Sequence, residues 1–88
     1  GISARLEGTY ESYGGTVRVS VFRQGDFLIM RNGTKYTEES IMLIPEEVKD
    51  DHARYFTLLN GSKIYAEFMI KGNEVELIYE RFKFIKRS

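Results

Sequence analysis

The sequence predicts an all-β protein, a small antiparallel up-and-down barrel of about eight short strands. Turn dipeptides recur between runs rich in Val, Ile, Phe, Tyr and Thr: Gly14-Gly15, Gly25-Asp26, Asn32-Gly33, Asn60-Gly61 and Gly72-Asn73. Tight hairpin connections need positive φ angles, which glycine and asparagine tolerate best. Two segments also alternate apolar and polar residues with a period of two. We therefore expect each strand to pair with the next one along the chain.

Length and composition limit the chain to a single domain. With 88 residues, 42% hydrophobic and 14% aromatic, residues 1–88 can build one modest core. There is no cysteine, so stability must come from packing and from closing the edges of the sheet. The first residues carry neither an initiator methionine nor a signal peptide, and we expect a domain excised from a longer polypeptide.

Strands follow in chain order from these patterns. The clearest inward faces are those of Val17, Val19 and Val21, and of Ile64, Ala66, Phe68 and Ile70. Each set alternates with residues of the other face, as in a half-buried strand. Shorter continuous apolar runs at residues 27–30, 41–44 and 55–59 are also interpreted as strands, because they are too short for amphipathic helices.

Three segments are harder to assign. Residues 45–52 are polar and open with the only proline, so they predict a loop or at most one helical turn. A bend at residues 38–40 within the segment 34–44 would bring the number of strands to about eight. In residues 74–87, apolar residues change phase after Tyr79, and a β-bulge near Glu80-Arg81 would turn both groups inward.

The residues exclude several functional classes. Thirteen basic residues balance thirteen acidic ones, so neither a nucleic-acid partner nor a membrane surface is expected. His52 beside Asp50 and Asp51 could bind a divalent cation, but such clusters are usually solvated loop residues. No serine precedes a lysine by three positions, so the serine-lysine nucleophile motif is absent. We predict no catalytic, metal-binding or cofactor-binding residues, and hence no enzymatic activity of the domain. The compartment stays open, with the cytoplasm slightly favoured.

The opening of the chain resembles a known family. Leu6-Glu7-Gly8-Thr9-Tyr10-Glu11, followed by a strand of alternating valines, is similar to the start of lipocalin-type barrels. It also resembles the lipocalin-like domain at the C-terminus of penicillin-binding-protein-like serine hydrolases of the CubicO group, including archaeal self-compartmentalising serine peptidases. The resemblance implies an accessory domain that helps subunits assemble and shields the active site. A hydrolase domain of the same polypeptide would be its neighbour.

The lipocalin resemblance also implies residues that close the barrel. Gly8 and Tyr10 would bring the first strand against the last one, where an arginine commonly packs across the opening aromatic ring. Arg81 is our candidate for this cation–π contact, with Arg87 as the other possibility. We expect Tyr10 to be buried.

Two functions stay open. Phe22, Tyr65 and Met69 lie on the outward phase of two strands, which favours self-association or docking to a hydrolase domain. The alternative is a small lipocalin-like carrier of an apolar ligand. We expect the inward residues to fill so short a barrel and to leave no pocket, so assembly is preferred.

Overall fold

The structure is a computed structural model that describes residues 2–33 and 38–88. The described residues form eight strands in one closed barrel. They are β1 Gly8–Ser12, β2 Arg18–Gln24, β3 Phe27–Gly33, β4 Glu38–Val48, β5 His52–Leu59, β6 Ser62–Lys71, β7 Glu74–Tyr79 and β8 Phe82–Lys86. Each strand pairs antiparallel with the next, and β8 pairs with β1 to close the sheet. The predicted all-β up-and-down barrel is confirmed.

Little of the described chain is helical. A five-residue helix, α1, spans Ile2–Leu6, and a 3₁₀ turn at Tyr13–Gly15 connects β1 to β2. No helix among the described residues has the length and apolar character needed to cross a membrane.

The predicted loop at residues 45–52 is wrong for most of its length. Strand β4 continues through Pro45 to Val48, and the connection to β5 is only residues 49–51. The register against β5 shifts between Pro45 and Glu47, which marks a β-bulge. A bulge accommodates a residue that has no N–H to donate to the ladder, and the strand continues beyond it.

The predicted bulge near Glu80-Arg81 is also wrong, because the chain reverses there. β7 and β8 pair across this turn, with Leu77 opposite Phe84, and Glu80 adopts a φ of 56°. A hairpin turns both apolar groups inward, as a bulge would have done. The sequence carries no Gly or Asn at this turn, so the usual signal for a hairpin was missing.

The eighth strand therefore comes from this hairpin and not from a bend at residues 38–40. Ser40 and Glu39 pair regularly with Arg31 and Asn32 of β3. Asn32-Gly33 consequently lies within β3 and is not itself the turn that we predicted. The connection between β3 and β4, residues 34–37, lies outside the described residues.

The barrel has two different ends. At the helix end lie α1, the C-terminus, and the connections at residues 25–26, 49–51 and 72–73. At the open end lie the connections at residues 13–15, 60–61 and 80–81. The core fills the interior from the helix end, and its largest completely buried side chains are Tyr10, Phe68, Leu6, Leu28, Leu43 and Leu77.

Candidate interaction surface

The outer wall of the barrel carries a row of apolar side chains where a polar surface would be expected. Val21 and Met30 are buried in the interior, so their neighbours Phe22 and Ile29 point outward. Phe22 pairs with Ile29, and Ile29 pairs with Met42 of β4. Three adjacent strands therefore place apolar side chains side by side on the outside.

The row continues on the next two strands. Ile44 of β4 pairs with Phe56 of β5, which in turn pairs with Tyr65 of β6. We call these outward side chains the apolar band: Phe22, Ile29, Met42, Ile44, Phe56 and Tyr65. The band extends over five of the eight strands, about half of the circumference.

The band is accessible to a partner. Met42 is 50% exposed and Tyr65 is 40% exposed. The other members of the band are half-buried beneath neighbouring side chains. Contiguous apolar surface of this kind, with partly covered aromatic rings, is typical of interaction sites.

Cationic side chains lie over the three aromatic rings of the band. The Arg31 guanidinium is 5.0 Å from the ring centroid of Phe22, and the Lys63 ammonium is 4.5 Å from that of Phe56. Arg54 lies 5.7 Å from the ring centroid of Tyr65. These distances fit cation–π contacts, which hold long charged side chains over apolar surface.

Carboxylates hold two of these cations in place and form a charged rim. The Lys63 ammonium donates a 2.8 Å hydrogen bond to Glu46, and this bond lowers the pKa of Glu46 and raises that of Lys63. Arg54 lies 3.3 Å from Glu67 and 3.7 Å from Glu46. An apolar centre with a polar rim is the usual arrangement of a protein interface.

At Met42 the band borders a stretch in which β4 and β5 are not paired with each other. The ladder between these strands begins at Ile44 opposite Phe56, so their ends nearer the open end of the barrel are not paired with each other. Met42 and the two exposed leucines Leu58 and Leu59 flank a cleft of about 230 Å³ at this place. Apolar side chains therefore coincide with incomplete strand pairing.

Two of the three predicted interface residues belong to the band. Phe22 and Tyr65 lie at its two ends, on β2 and β6, so they face different directions. Met69 lies apart from it, half-buried between its cross-strand neighbours His52 and Glu76. Phe22 and Tyr65 belong to one surface only through Ile29, Met42, Ile44 and Phe56, which were not among the predicted interface residues.

A signal for the missed residues was present in the sequence. Residues 41–44 are a continuous apolar run, and residues 55–59 are apolar except for Thr57. An antiparallel strand with one solvated face alternates apolar and polar residues, so a continuous run indicates that its outer face is apolar too. Met42, Ile44 and Phe56 could have been found in this way.

Gly8 and Tyr10 lie where the barrel closes. The Tyr10 ring is completely buried, makes an edge contact with Phe68 at 5.9 Å, and donates a 2.7 Å hydrogen bond to the Leu6 carbonyl. Burial raises the pKa of the Tyr10 hydroxyl. A Cβ atom on Gly8 would collide with the Ser88 carbonyl oxygen, so the chain ends approach as closely as they do only because this residue has no side chain.

Arg81 does not lie near Tyr10. It is exposed in the turn at the open end, whereas Tyr10 pairs with Lys86 of β8. Five residues of strand separate Arg81 from Lys86, roughly 16 Å, which exceeds the reach of its side chain. Lys86 takes the place opposite Tyr10 and donates a 2.7 Å hydrogen bond to the Arg5 carbonyl.

The interior is not filled at the open end, contrary to expectation. A cleft of about 350 Å³ opens there between apolar side chains, including Val17, Ile41 and Phe82, with Glu39 and Glu80 among its polar lining. Within residues 2–33 and 38–88, no group of three or more acidic or histidine side chains is arranged to hold a metal ion. His52 instead lies 3.6 Å from Glu67.

Comparison with known proteins gives two matches. A family model described as the Pab87 octamerisation domain matches residues 2–85. The chain is also similar to the solved structure of the octameric penicillin-binding protein homologue from Pyrococcus abyssi, with a TM-score of 0.93 and 41% identity over 97% of this chain. It spans only 19% of the length of that protein. No curated protein matches.

Proposed function

The chain belongs to the Pab87 octamerisation domain family, and we propose that it assembles copies of a longer polypeptide into an octamer through the apolar band. The observation that carries this proposal is the family match over residues 2–85. The band adds a surface of suitable chemistry. Aromatic residues, methionine and arginine are enriched at the cores of protein interfaces, and all of them occur here.

The longer polypeptide would carry a penicillin-binding-protein-like hydrolase domain. Supporting this, the related solved protein is an octameric penicillin-binding protein homologue of which this chain corresponds to 19%. The barrel is then a non-catalytic accessory domain, and it supplies contacts while the hydrolase domain supplies the chemistry. Assembly would place the hydrolase domains around a shared, shielded space.

The cations over the band suit it to repeated contacts between identical copies. Arg31, Arg54 and Lys63 lie over aromatic rings of the same chain, and Arg54 and Lys63 also lie beside carboxylates. In an assembly these three cations can pair with carboxylates or aromatic rings of a neighbouring copy. They lose little hydration on doing so, because they already lie against the protein surface. Closed homo-oligomers use such self-complementary surfaces.

Substitution within the band tests the proposal. The variants are Phe22→Ser with Tyr65→Ser, which changes both ends of the band, and Met42→Ser, which changes its middle. We expect each to convert the octamer into smaller species, measured by size-exclusion chromatography with light scattering. Circular dichroism should show an unchanged fold, because the band lies outside the core.

Phe82→Ser is the matched control. Phe82 is 55% exposed but lies at the open end of the barrel, outside the band. This variant should keep the octamer. If the band variants keep the mass of the parent protein as well, assembly uses another surface and the proposal is wrong in that part.

The cleft at the open end favours a second candidate function, the binding of a small apolar ligand. Its lining is mainly apolar and its volume of about 350 Å³ is within the range of small-molecule sites. A fatty acid titration followed by intrinsic tyrosine fluorescence tests this candidate. Stoichiometric binding that Val19→Phe abolishes would support a carrier role, and no binding would remove it.

A further inference from the structure

At the open end of the barrel, strands β4 and β5 separate from each other. Their ladder stops at Ile44 opposite Phe56, although both strands continue beyond this pair. Over the same stretch β4 still pairs with β3, and β5 still pairs with β6. Residues 39–43 of β4 and residues 57–59 of β5 therefore form two sheet edges that are not paired with each other.

A β-bulge gives the physical reason for the separation. The register between β4 and β5 shifts between Pro45 and Glu47, directly beside the place where the ladder stops. A bulge bends its strand and increases the local twist. The two edges consequently leave the ladder in different directions. The cleft of about 230 Å³ lies between them, and apolar side chains from both edges line it.

The end of the β5–β6 hairpin extends beyond its neighbours as a two-stranded arm. The β4–β5 ladder stops before residue 57, and β6 pairs with β7 only from Ala66 onward, so residues 57–64 are paired only with each other. We call these residues the hairpin arm. Leu58 is 58% exposed and Leu59 is 56% exposed on it. Because an isolated two-stranded hairpin is at best marginally stable in water, the arm gains stability when another surface covers its leucines.

The unpaired edge of β4 offers such a surface. A strand edge presents free N–H and C=O groups to any added strand, and proteins commonly protect such edges with lysine or proline. Residues 40–43 are Ser-Ile-Met-Leu and include neither of these residue types. Met42 on this edge is 50% exposed. An added strand would gain main-chain hydrogen bonds together with apolar contacts.

We propose that the hairpin arm of one copy pairs along the β4 edge of a second copy, an inference that rests on the proposed function. The register that β4 and β5 have within the barrel predicts which residues meet. Extended by two residues beyond its present end, this register places Met42 opposite Leu58. One residue further, Leu59 comes opposite Ile41. Each exposed leucine of the arm then covers an apolar side chain of β4 in the second copy.

Two features of the chain select a second copy as the partner. Every copy carries one hairpin arm and one β4 edge, so each copy can bind one neighbour through its arm and another through its edge. Head-to-tail contacts of this kind close into rings when the rotation between copies fits. In addition, Met42 belongs to the apolar band, so the pairing would continue the surface proposed for assembly.

Paired cysteines test this pairing in the full-length polypeptide. The 88 residues contain no cysteine, so Met42→Cys with Leu58→Cys places one thiol on each edge. Residues opposite each other in antiparallel strands bring their Cβ atoms close enough for a disulfide. After oxidation we expect most of the double variant to run as covalently linked multiples on a denaturing gel, in contrast to the oxidised parent. Reduction should return single chains, and light scattering should still show the octamer.

Two controls identify the surfaces that meet. Met42→Cys and Leu58→Cys, each expressed alone, should give no linked multiples, whereas the two variants expressed together should give linked pairs. Met42→Cys with Phe82→Cys is the matched control. Phe82 is 55% exposed, similar to Leu58, and lies at the same end of the barrel but on neither edge. We expect no linked multiples from this control.

The outcomes separate this inference from the proposed function. A disulfide formed within one chain, linkage of Met42→Cys alone, or equal linkage of the Phe82 control would each overturn pairing of arm and edge. If the double variant stays unlinked while the band variants dissociate the octamer, the pairing is wrong and the proposed function stands. Linkage in a protein whose band variants remain octameric would support the pairing and contradict assembly through the band.

Discussion

The two ends of this barrel differ in how completely they are packed. At the helix end, Leu6 enters the interior from α1 and joins Tyr10 and Phe68, all completely buried. At the open end, Val17, Ile41 and Tyr79 point inward as well, yet they are only half-buried around a cleft. Alternating inward residues thus form a tightly packed core at the helix end and leave an unfilled cleft at the open end.

The difference in packing between the two ends arises from helix α1 and not from the strands. The interior of an eight-stranded barrel is just wide enough for side chains to fill or to hold one small ligand. The five-residue α1 supplies further volume at the helix end, and its backbone accepts hydrogen bonds from Tyr10 and Lys86. We infer that the stability of the domain is concentrated at the helix end, which leaves the open end free to vary.

The largest expected effect comes from comparing two inward tyrosines. Tyr10→Ala at the helix end should lower the free energy of unfolding by about 3–5 kcal/mol, the range for a fully buried aromatic. Tyr79→Ala at the open end should cost about 1 kcal/mol, because a half-buried ring loses less contact. Urea denaturation followed by circular dichroism measures both. Equal losses would contradict the asymmetry between the ends.

Replacing one glycine by alanine at each end of the barrel compares the packing of the two ends more directly. Gly8→Ala should lower the free energy of unfolding by about 2–3 kcal/mol, because its φ of 150° disfavours a side chain and the new Cβ would collide with Ser88. Gly61→Ala at the open end also has a positive φ, of 81°, but its Cβ would meet no atom within 4 Å. We expect about 1 kcal/mol there, from the backbone alone. A larger loss at Gly61 than at Gly8 would show that close packing of the chain ends contributes little.

Alkaline pH provides the smallest of the three effects. Burial raises the pKa of Tyr10 above its unfolded value of about 10, so the unfolded chain loses this proton first as the pH rises. The protonated Tyr10 hydroxyl therefore makes its full contribution to the free energy of unfolding below pH 10. Above pH 10 this contribution falls by about 1.4 kcal/mol per pH unit. Tyr10→Phe should make the decline in stability between pH 10 and 11 shallower by this amount. An unchanged slope in the variant would mean that Tyr10 ionises in the folded protein.

Much of the fold could be read from local patterns. The alternation of Val17 to Val21 and of Ile64 to Ile70 identified two strands with their inward faces, and the Gly25, Asn60 and Gly72 turns appear where they were predicted. Where the local signal was misleading, the prediction was wrong. Pro45 indicated a loop but lies in a bulged strand, and the turn at Glu80-Arg81 has no turn-forming residue.

The candidate surface could be predicted only in part. Phe22 and Tyr65 were found because each interrupts the polar face of an alternating strand. Their connection through Ile29, Met42, Ile44 and Phe56 depends on which residues of different strands lie opposite one another. Register of this kind is set by turn lengths and bulges along the chain, and a single shifted residue reverses the direction of every side chain after it.

The sequence by itself determined that this chain forms antiparallel β-strands and that each strand pairs with the next one along the chain. These are consequences of alternation and turn chemistry, which act between residues close together in the chain. Only the tertiary structure decided that the apolar side chains of five strands form one band, that α1 fills one end, and that Arg81 lies far from Tyr10. Each of these depends on the closure of the sheet, which brings β8 beside β1 and both chain ends together. Closure is a property of all eight strands at once, so no local segment of the sequence specifies it.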